Sequence, residues 1–570
     1  MKRAIYILCG MCILWGCSLK EEVVSNSTRD TYYRNEIQVR TGLSGCYTPA
    51  RNFICNSGFW QMTECTTDLI SMSVSNQYNA NCDVSPSRPG IASTVWSNGY
   101  TGVMRCNEII DVLTESEYFT DEQKLPWIAE AKVLRALYYY YLTSTFGDVP
   151  FYTEAVTEQN RSKIASLPRM SASETRDYII DEMMEYLLPP SMGGKQALPY
   201  QRTYENPSKA YAGAAVGLMV AGKMCLWNER YDDAIKIFGQ IEVIYGSYRG
   251  EDRWNFGKDY PLTDVRWRSR NVKESILEVG NRVEEYGLAI KGTIASYCMP
   301  ARTTVTSDDE EESASQASDI YNGIKIPELG AYARTYTAAM PTSYYYTRVL
   351  PYASVDLRNG EYSNGRTEPA GGCGNLAWRW KGAGYVTSQV LTEKAGVYWF
   401  NKPSSNTPNG STDKPYGNNQ PWLGDKFWCF GMYNNQDGNN YKIFRFAGVL
   451  LNLAEAHLMG SGDMQTACDY LNIVRARAGL SELTPATVNN SPEALMEEIR
   501  MECARELLGE FQRKYDLVRW GIWYERTYMY NEGKYIKGYM LPCHEYWPIP
   551  AEQVTYSGNA LDNNAYKGIL

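Results

Sequence analysis

The clearest hydrophobic rhythm in the chain runs from about Glu122 to Phe146. There Trp127, Ala131, Leu134, Tyr138 and Leu142 recur at steps of three or four and share one face of a helix. Thr120 and Gln123 stand at capping-box spacing ahead of it, which gives partners to backbone N–H groups that a helix start leaves unpaired. Gly147 supplies a stop and Pro150 forbids continuation. A second helical stretch begins near Pro207 and carries Ala210, Ala214, Leu218, Ala221 and Leu226. After a break at Asn228-Glu229-Arg230, a third is defined by Tyr231, Ala234, Ile235, Phe238 and Ile241. The paired pattern returns at Phe444 to Met459 and Met464 to Ala478, with Gly460 and Gly462 in the turn. Ser491-Pro492 then sets an N-cap and an N1 proline before a helix reaching about Leu508.

Two regions break this cadence. Glu274 to Val279 reads as a strand, and about Cys298 to Asn440 is rich in Gly, Ser, Asn, Thr and Tyr with few helical periods. Long irregular segments in a compact protein usually carry function. The pattern therefore predicts a mostly α fold. A helical scaffold covers about 31–297 and 441–570, and a loop-rich subdomain with a few short strands is inserted over about 298–440. The helix pairs, with short turns and small residues where they cross, resemble tetratricopeptide units. The acidic run Asp308 to Glu312 suits a solvated loop, with a calcium site as the sharper alternative.

The N-terminus adds a compartment. Lys2 and Arg3 precede a mostly apolar stretch, Ala4 to Gly16, too short to span a bilayer and proportioned like a secretory leader. It ends at Leu14-Trp15-Gly16-Cys17, which resembles a lipobox with Cys17 as the lipidated residue; Trp15 departs from the usual small or β-branched residue. Residues 1–16 are then the signal peptide and 17–30 the lipidated tether, in which Lys20-Glu21-Glu22 resembles a tag for the outer face of an outer membrane. A plain cleaved leader is the alternative. No other segment is apolar for long enough to cross a membrane as a helix.

Loss of Lys2 and Arg3 takes the net charge from −9 to about −11, which argues against nucleic acid and against electrostatic adhesion to anionic lipid. The close run Cys46, Cys55, Cys65, Cys82 could hold a disulfide in an exported protein. The cysteine spacing and the two histidines, His457 and His544, do not suit zinc, and no metal or cofactor is expected. His457 lies among helical apolar residues and reads as packing, His544 as part of a surface turn. Serine-hydrolase, zinc-protease and phosphate-loop motifs do not occur. Arg135, Arg475, Arg477 and Arg519 lie among Glu130, Glu455, Glu502, Glu506, Glu510 and Asp516, with the three glutamates 502, 506 and 510 on one helix face. Like charges in a row need arginine partners, so this pattern predicts a scaffold network; a carboxylate pair for glycoside hydrolysis is the competing reading.

Four segments together resemble the SusD/RagB family. They are Ala129 to Tyr139 closing with Phe146-Gly147-Asp148-Val149-Pro150; Arg445-Phe446-Ala447 through Leu450 to Ala456 and then Leu471 to Leu480; Glu502, Arg505-Glu506-Leu507 and Glu510 with Tyr515 to Gly521; and Trp547-Pro548-Ile549-Pro550. Gly448 departs from the family's usual Glu. The resemblance implies a non-enzymatic surface lipoprotein of the outer membrane, facing the cell exterior. Its partner would be a SusC-like TonB-dependent transporter and its ligand an oligosaccharide or polysaccharide, with peptides or another nutrient as the alternative cargo.

Sugar binding asks for flat rings to stack on pyranose C–H faces and for amides and carboxylates to bond hydroxyls. The chain holds 46 Tyr and 15 Trp against 13 Phe, so most of its aromatic rings carry a polar tip. Two regions offer the mix: Asn76 and Tyr78 with Asp68 upstream and Trp96 downstream, and Tyr286, Tyr297 and Tyr321 after the Glu274–Val279 strand. These seven are the candidate ligand-binding residues, placed by the regions from which the family builds its ligand platform. Tyr344-Tyr345-Tyr346 and the pair Trp378 and Trp380 read as structural.

Overall fold

The computed structural model describes residues 32–204, 212–282, 292–299, 338–351, 354–359, 374–377, 421–429 and 435–567, with Tyr336 and a few two- or three-residue strands between them. Helices α1 (Glu36–Ile54), α2 (Ala92–Glu115), α3 (Asp121–Phe146), α4 (Ala172–Leu187), α5 (Ala214–Trp227) and α6 (Tyr231–Tyr245) pack each on the next. After a long insertion the chain resumes with α7 (Phe446–Ser461), α8 (Met464–Arg477) and α9 (Pro492–Glu506). Helix α7 docks on α6, so the second block continues the same array.

Local chemistry explains the bounds. Thr120 and Gln123 form the capping box of α3, and Gly147 ends it at φ 70°. Helix α3 is buried on nearly every side from Ala129 onward because α2, α4 and α5 surround it. The α2–α3 crossing is so close that a Cβ on Gly102 would lie 2.2 Å from the Tyr138 ring. Ser491 caps α9 through the Ala494 N–H, with Pro492 at its first position.

Several expectations change. Residues 205–211 lie outside the described residues, and α5 begins at Ala214. Phe444 and Arg445, expected in the helix, end strand β4 (Tyr441–Arg445), which pairs antiparallel with β2 (Ser275–Val279). Helix α9 stops at Glu506, so Glu510 sits beyond its end instead of on its face. Cys46, Cys55, Cys65 and Cys82 carry free thiols; the Cys46 thiol bonds the Gly42 carbonyl of its own helix at 3.6 Å and the Cys55 thiol bonds Asn281 at 3.3 Å. His544 is buried, its Nδ1 accepting from the Leu541 N–H at 3.1 Å and its Nε2 3.3 Å from the Val84 carbonyl, because the segment after Cys82 covers it. His457 does pack, stacked on Tyr470. At Gly448 a Cβ would meet only Met219 and Leu507 at ordinary contact distance, an apolar place for a residue without charge.

Candidate functional site

A buried ion network forms the frame behind the site. Arg445, at the end of β4, contacts Glu274 at 2.8 Å, Glu506 at 2.9 Å and Glu510 at 2.8 Å. Arg477 reaches Glu274 at 2.8 Å and Glu506 at 2.7 Å, and Arg358 reaches Asp356 and Glu502 at 2.7 Å and Glu506 at 2.9 Å. Burial opposes charge on Glu506, yet Arg477, Arg445 and Arg358 hold its carboxyl well below the usual range. Glu502 is held low by Arg358, Arg505 and Arg475 against the same burial. A general acid needs a raised carboxyl pKa, so these glutamates serve as scaffold, as the charge pattern predicts. Sequence reasoning placed Arg475, Arg477, Glu502, Glu506 and Glu510 in such a network and left Glu274, Arg358 and Arg445 out of it. Arg135 pairs instead with Glu182 at 2.6 Å, and Glu130 with Arg40 at 2.6 Å.

β1 (Ile70–Met72) and β3 (Ala339–Pro341) pair as an antiparallel ribbon, with Met72 opposite Ala339. The loop bearing Asn76 and Tyr78 leaves the end of β1 at which the other strand arrives. That arriving segment is held by the Tyr336 N–H on the Ser296 carbonyl at 2.7 Å and the Ala338 N–H on the Tyr297 carbonyl at 2.9 Å. Both regions singled out from sequence therefore connect to the same end of this ribbon, one through the chain that follows Met72 and the other through Tyr336 and Ala338. Asn76 and Tyr78 are exposed, Tyr78 by 45 %, and the Arg88 guanidinium sits 5.5 Å from the Tyr78 ring centre. Arg88 is itself held by Asp83 at 2.8 Å. Tyr297 is half-buried and pairs with Tyr336, ring centres 5.7 Å apart, and Tyr336 is 37 % exposed.

Asp68 and Trp96 do not belong to this surface. Asp68 is wholly buried; both carboxylate oxygens take bonds from Arg513, at 2.8 and 2.7 Å, and Arg526 lies 3.2 Å away. Burial works against its charge, and the two arginines still hold its carboxyl below the ordinary range. Trp96 is 5 % exposed on α2, wedged edge-on against Phe146 and tilted against Tyr100. Tyr286, Tyr321, Trp378, Trp380, the acidic run at 308–312 and Cys17 lie outside the described residues. Tyr344 stacks on Tyr530 at 4.1 Å and Tyr345 is buried, both structural as expected. Sequence reasoning missed Tyr336 and Arg88. Tyr336 had no pattern around it, whereas Arg88 stood ten residues beyond an aromatic that it could face.

Two family profiles match the chain, the SusD family over residues 374–566 and "Starch-binding associating with outer membrane" over residues 26–214. The chain belongs to the SusD/RagB family. Among its SusD-like relatives, SusD-like protein P25 of Formosa agariphila is 22 % identical over 97 % of both chains. A SusD-like protein from Bacteroides fragilis superposes with a TM-score of 0.63 at 20 % identity, covering 94 % of this chain and 97 % of that one. Surface glycan-binding protein A from Bacteroides thetaiotaomicron, solved with laminarihexaose, superposes with a TM-score of 0.61 at 20 % identity over 93 % of this chain and all of that one. The mostly α SusD-like fold is thereby established.

Proposed function

We propose that this SusD-like protein captures oligosaccharide or polysaccharide at the cell surface, without hydrolysing it, and passes it to a SusC-like TonB-dependent transporter. In this reading residues 17–30 tether the protein to the outer membrane through lipid on Cys17, the body faces the cell exterior, and residues 298–440 form the loop-rich part over a helical scaffold. The observation that carries the reading is that the segments bearing Asn76 and Tyr78, and Tyr297 and Tyr336, attach to the same end of one ribbon, in a body locked by buried ion pairs. Exposed rings beside amides are the groups a sugar needs. Two further findings support it: a matching family profile is described as starch-binding, and a structural neighbour was solved with laminarihexaose. The non-hydrolytic part of the reading is supported by Glu502 and Glu506, whose carboxyls are held low by their arginine partners and so do not suit proton donation.

Calorimetry of residues 18–570 against plant, host and microbial glycans, with products assayed in the same samples, tests this. Heat without products is expected, and Tyr78→Ala should weaken it about fivefold or more while leaving the thermal midpoint unchanged. Product release, or no heat with any glycan, defeats the reading; in the second case peptides become the cargo to test.

A further inference from the structure

Helix α10 (Arg513–Arg519) is followed by α11 (Trp523–Tyr530), whose two sides have opposite characters. Its inward side is fastened to the segment that leads into β1. Trp523 donates its indole N–H to the Thr66 carbonyl at 2.8 Å, and Thr527 donates its hydroxyl to the same oxygen at 3.4 Å. Arg526 lies 3.2 Å from Asp68 and 2.8 Å from Glu497. Asn531, just past the helix end, gives its side-chain amide to the carbonyls of Cys65, Thr67 and Ile70 at 2.9, 2.7 and 3.1 Å. Among the described residues nothing comparable covers the outward side. Tyr524 and Tyr528, one turn apart, are 36 % and 50 % exposed, and their rings lie 6.0 Å apart at an interplanar angle of 24°. The Lys537 ammonium stands 5.6 Å from the Tyr528 ring centre.

We propose that this outward face of α11 is a second carbohydrate platform, on which Tyr524 and Tyr528 take neighbouring sugar rings of a polysaccharide that also occupies the ribbon-end site. The proposal rests on the glycan reading above and sets the class of its ligand: a long chain in preference to a short oligosaccharide. Three physical points support it. The two rings run in series with polar tips, with the ammonium of Lys537 beside Tyr528 and the exposed Glu525 on the same helix, so C–H faces and hydroxyls of a sugar both find partners. The rings are held on a helix clamped by the buried Trp523, Thr527 and Asn531 and by the partly buried Arg526, so little freedom is lost on binding. The platform also connects to the first site. Helix α12 (Ile536–Tyr539) lies between them, with Ile536 and Met540 packed in one cluster with Cys82 of the Tyr78-bearing loop, while the Lys534 N–H bonds Ser73 at 3.2 Å. The exposed apolar side chains on and beside this face are Tyr524, Tyr528, Met529, Tyr539 and Leu541, with rings carrying a polar tip in the majority, which suits a sugar better than an aliphatic protein interface.

The test is a double variant, Tyr524→Ala with Tyr528→Ala, in residues 18–570, titrated with laminarin first and otherwise with whichever polysaccharide gives the strongest heat in the panel, and with the matching hexasaccharide. Both side chains are exposed, so folding should survive, which the thermal midpoint checks. Polysaccharide affinity is expected to fall about tenfold while hexasaccharide affinity stays as in the parent protein; Tyr78→Ala should weaken both. Equal polysaccharide affinity in parent and double variant overturns the second platform and leaves the first reading intact. The same holds if the double variant instead loses an outer-membrane protein on pull-down, which would give the face to a protein partner. If the parent protein binds no glycan, the glycan reading falls, and the platform with it.

Discussion

A residue's neighbours, more than its type, decide its role here. Asp68 and Asn76 both sit in the early chain beside aromatics, and sequence treats them alike. Eight residues on, the chain has passed from a core held by Arg513 to an open loop, and only Asn76 remains available. Glu64 shows how far burial alone can shift a group. It lies in a π-helical turn (Gln61–Cys65) and accepts N–H bonds from Gly509 and Arg513 at 3.2 and 3.3 Å. Burial pushes its carboxyl up to about 8, against those backbone donors and the Arg513 charge. Between its ordinary value near 4.5 and about 8 the folded protein therefore holds a proton that the unfolded chain has released, and Glu64 makes the fold less stable as pH rises through that window. Glu64→Gln keeps an oxygen for the backbone and cannot ionise. The variant should gain stability over the parent by about 1.4 kcal/mol per pH unit across the window, seen as a growing difference in denaturation midpoint. A difference that stays flat with pH would mean that Glu64 remains ionised in the fold.

At the scale of elements, what repeats locally was legible and what depends on distant partners was not. Helix α3, the Asn228–Arg230 break and the Ser491 cap follow from spacing and capping within a few residues, and each stands where the sequence predicts. Arg445 was readable as a motif residue but not as the hub of a network, because its partners Glu274 and Glu510 lie 171 and 65 positions away. The same distance misplaced the start of α7: Phe444 and Arg445 have helical neighbours in sequence but a strand partner, β2, in space. For the site, the two regions were legible from their amides and rings, whereas Tyr336 was not, since only the ribbon brings it to Tyr297. The network's weight can be measured. Removing one partner of a buried ion group leaves the rest unpaired, which costs about 3–5 kcal/mol. Glu506→Gln, facing Arg358, Arg445 and Arg477, should lower the thermal midpoint by several degrees and leave the glycan affinity of the folded fraction intact. A variant as stable as the parent would show that the surrounding carboxylates suffice.

For the whole molecule, the question is how such a body stays at a membrane. Among the described residues no helix is long and apolar enough to cross one, and a net charge of about −11 after loss of Lys2 and Arg3 gives no attraction to an anionic surface. In the proposed reading attachment comes from acyl chains on Cys17 and from the docked transporter, two signals of the kind that stable anchoring requires. In the same reading a tether of 14 residues, 17–30, at about 3.5 Å per residue, would let the body lift by at most about 50 Å. On this proposal Cys17 is dispensable for folding and glycan affinity but needed for retention. In cells fed labelled palmitate, the parent protein should carry the label and Cys17→Ala should carry none, while the soluble body of each, residues 18–570, is the same molecule and binds glycan equally. Label on the variant would place the acyl chains elsewhere, and an unlabelled parent would leave the transporter as the sole tie to the membrane.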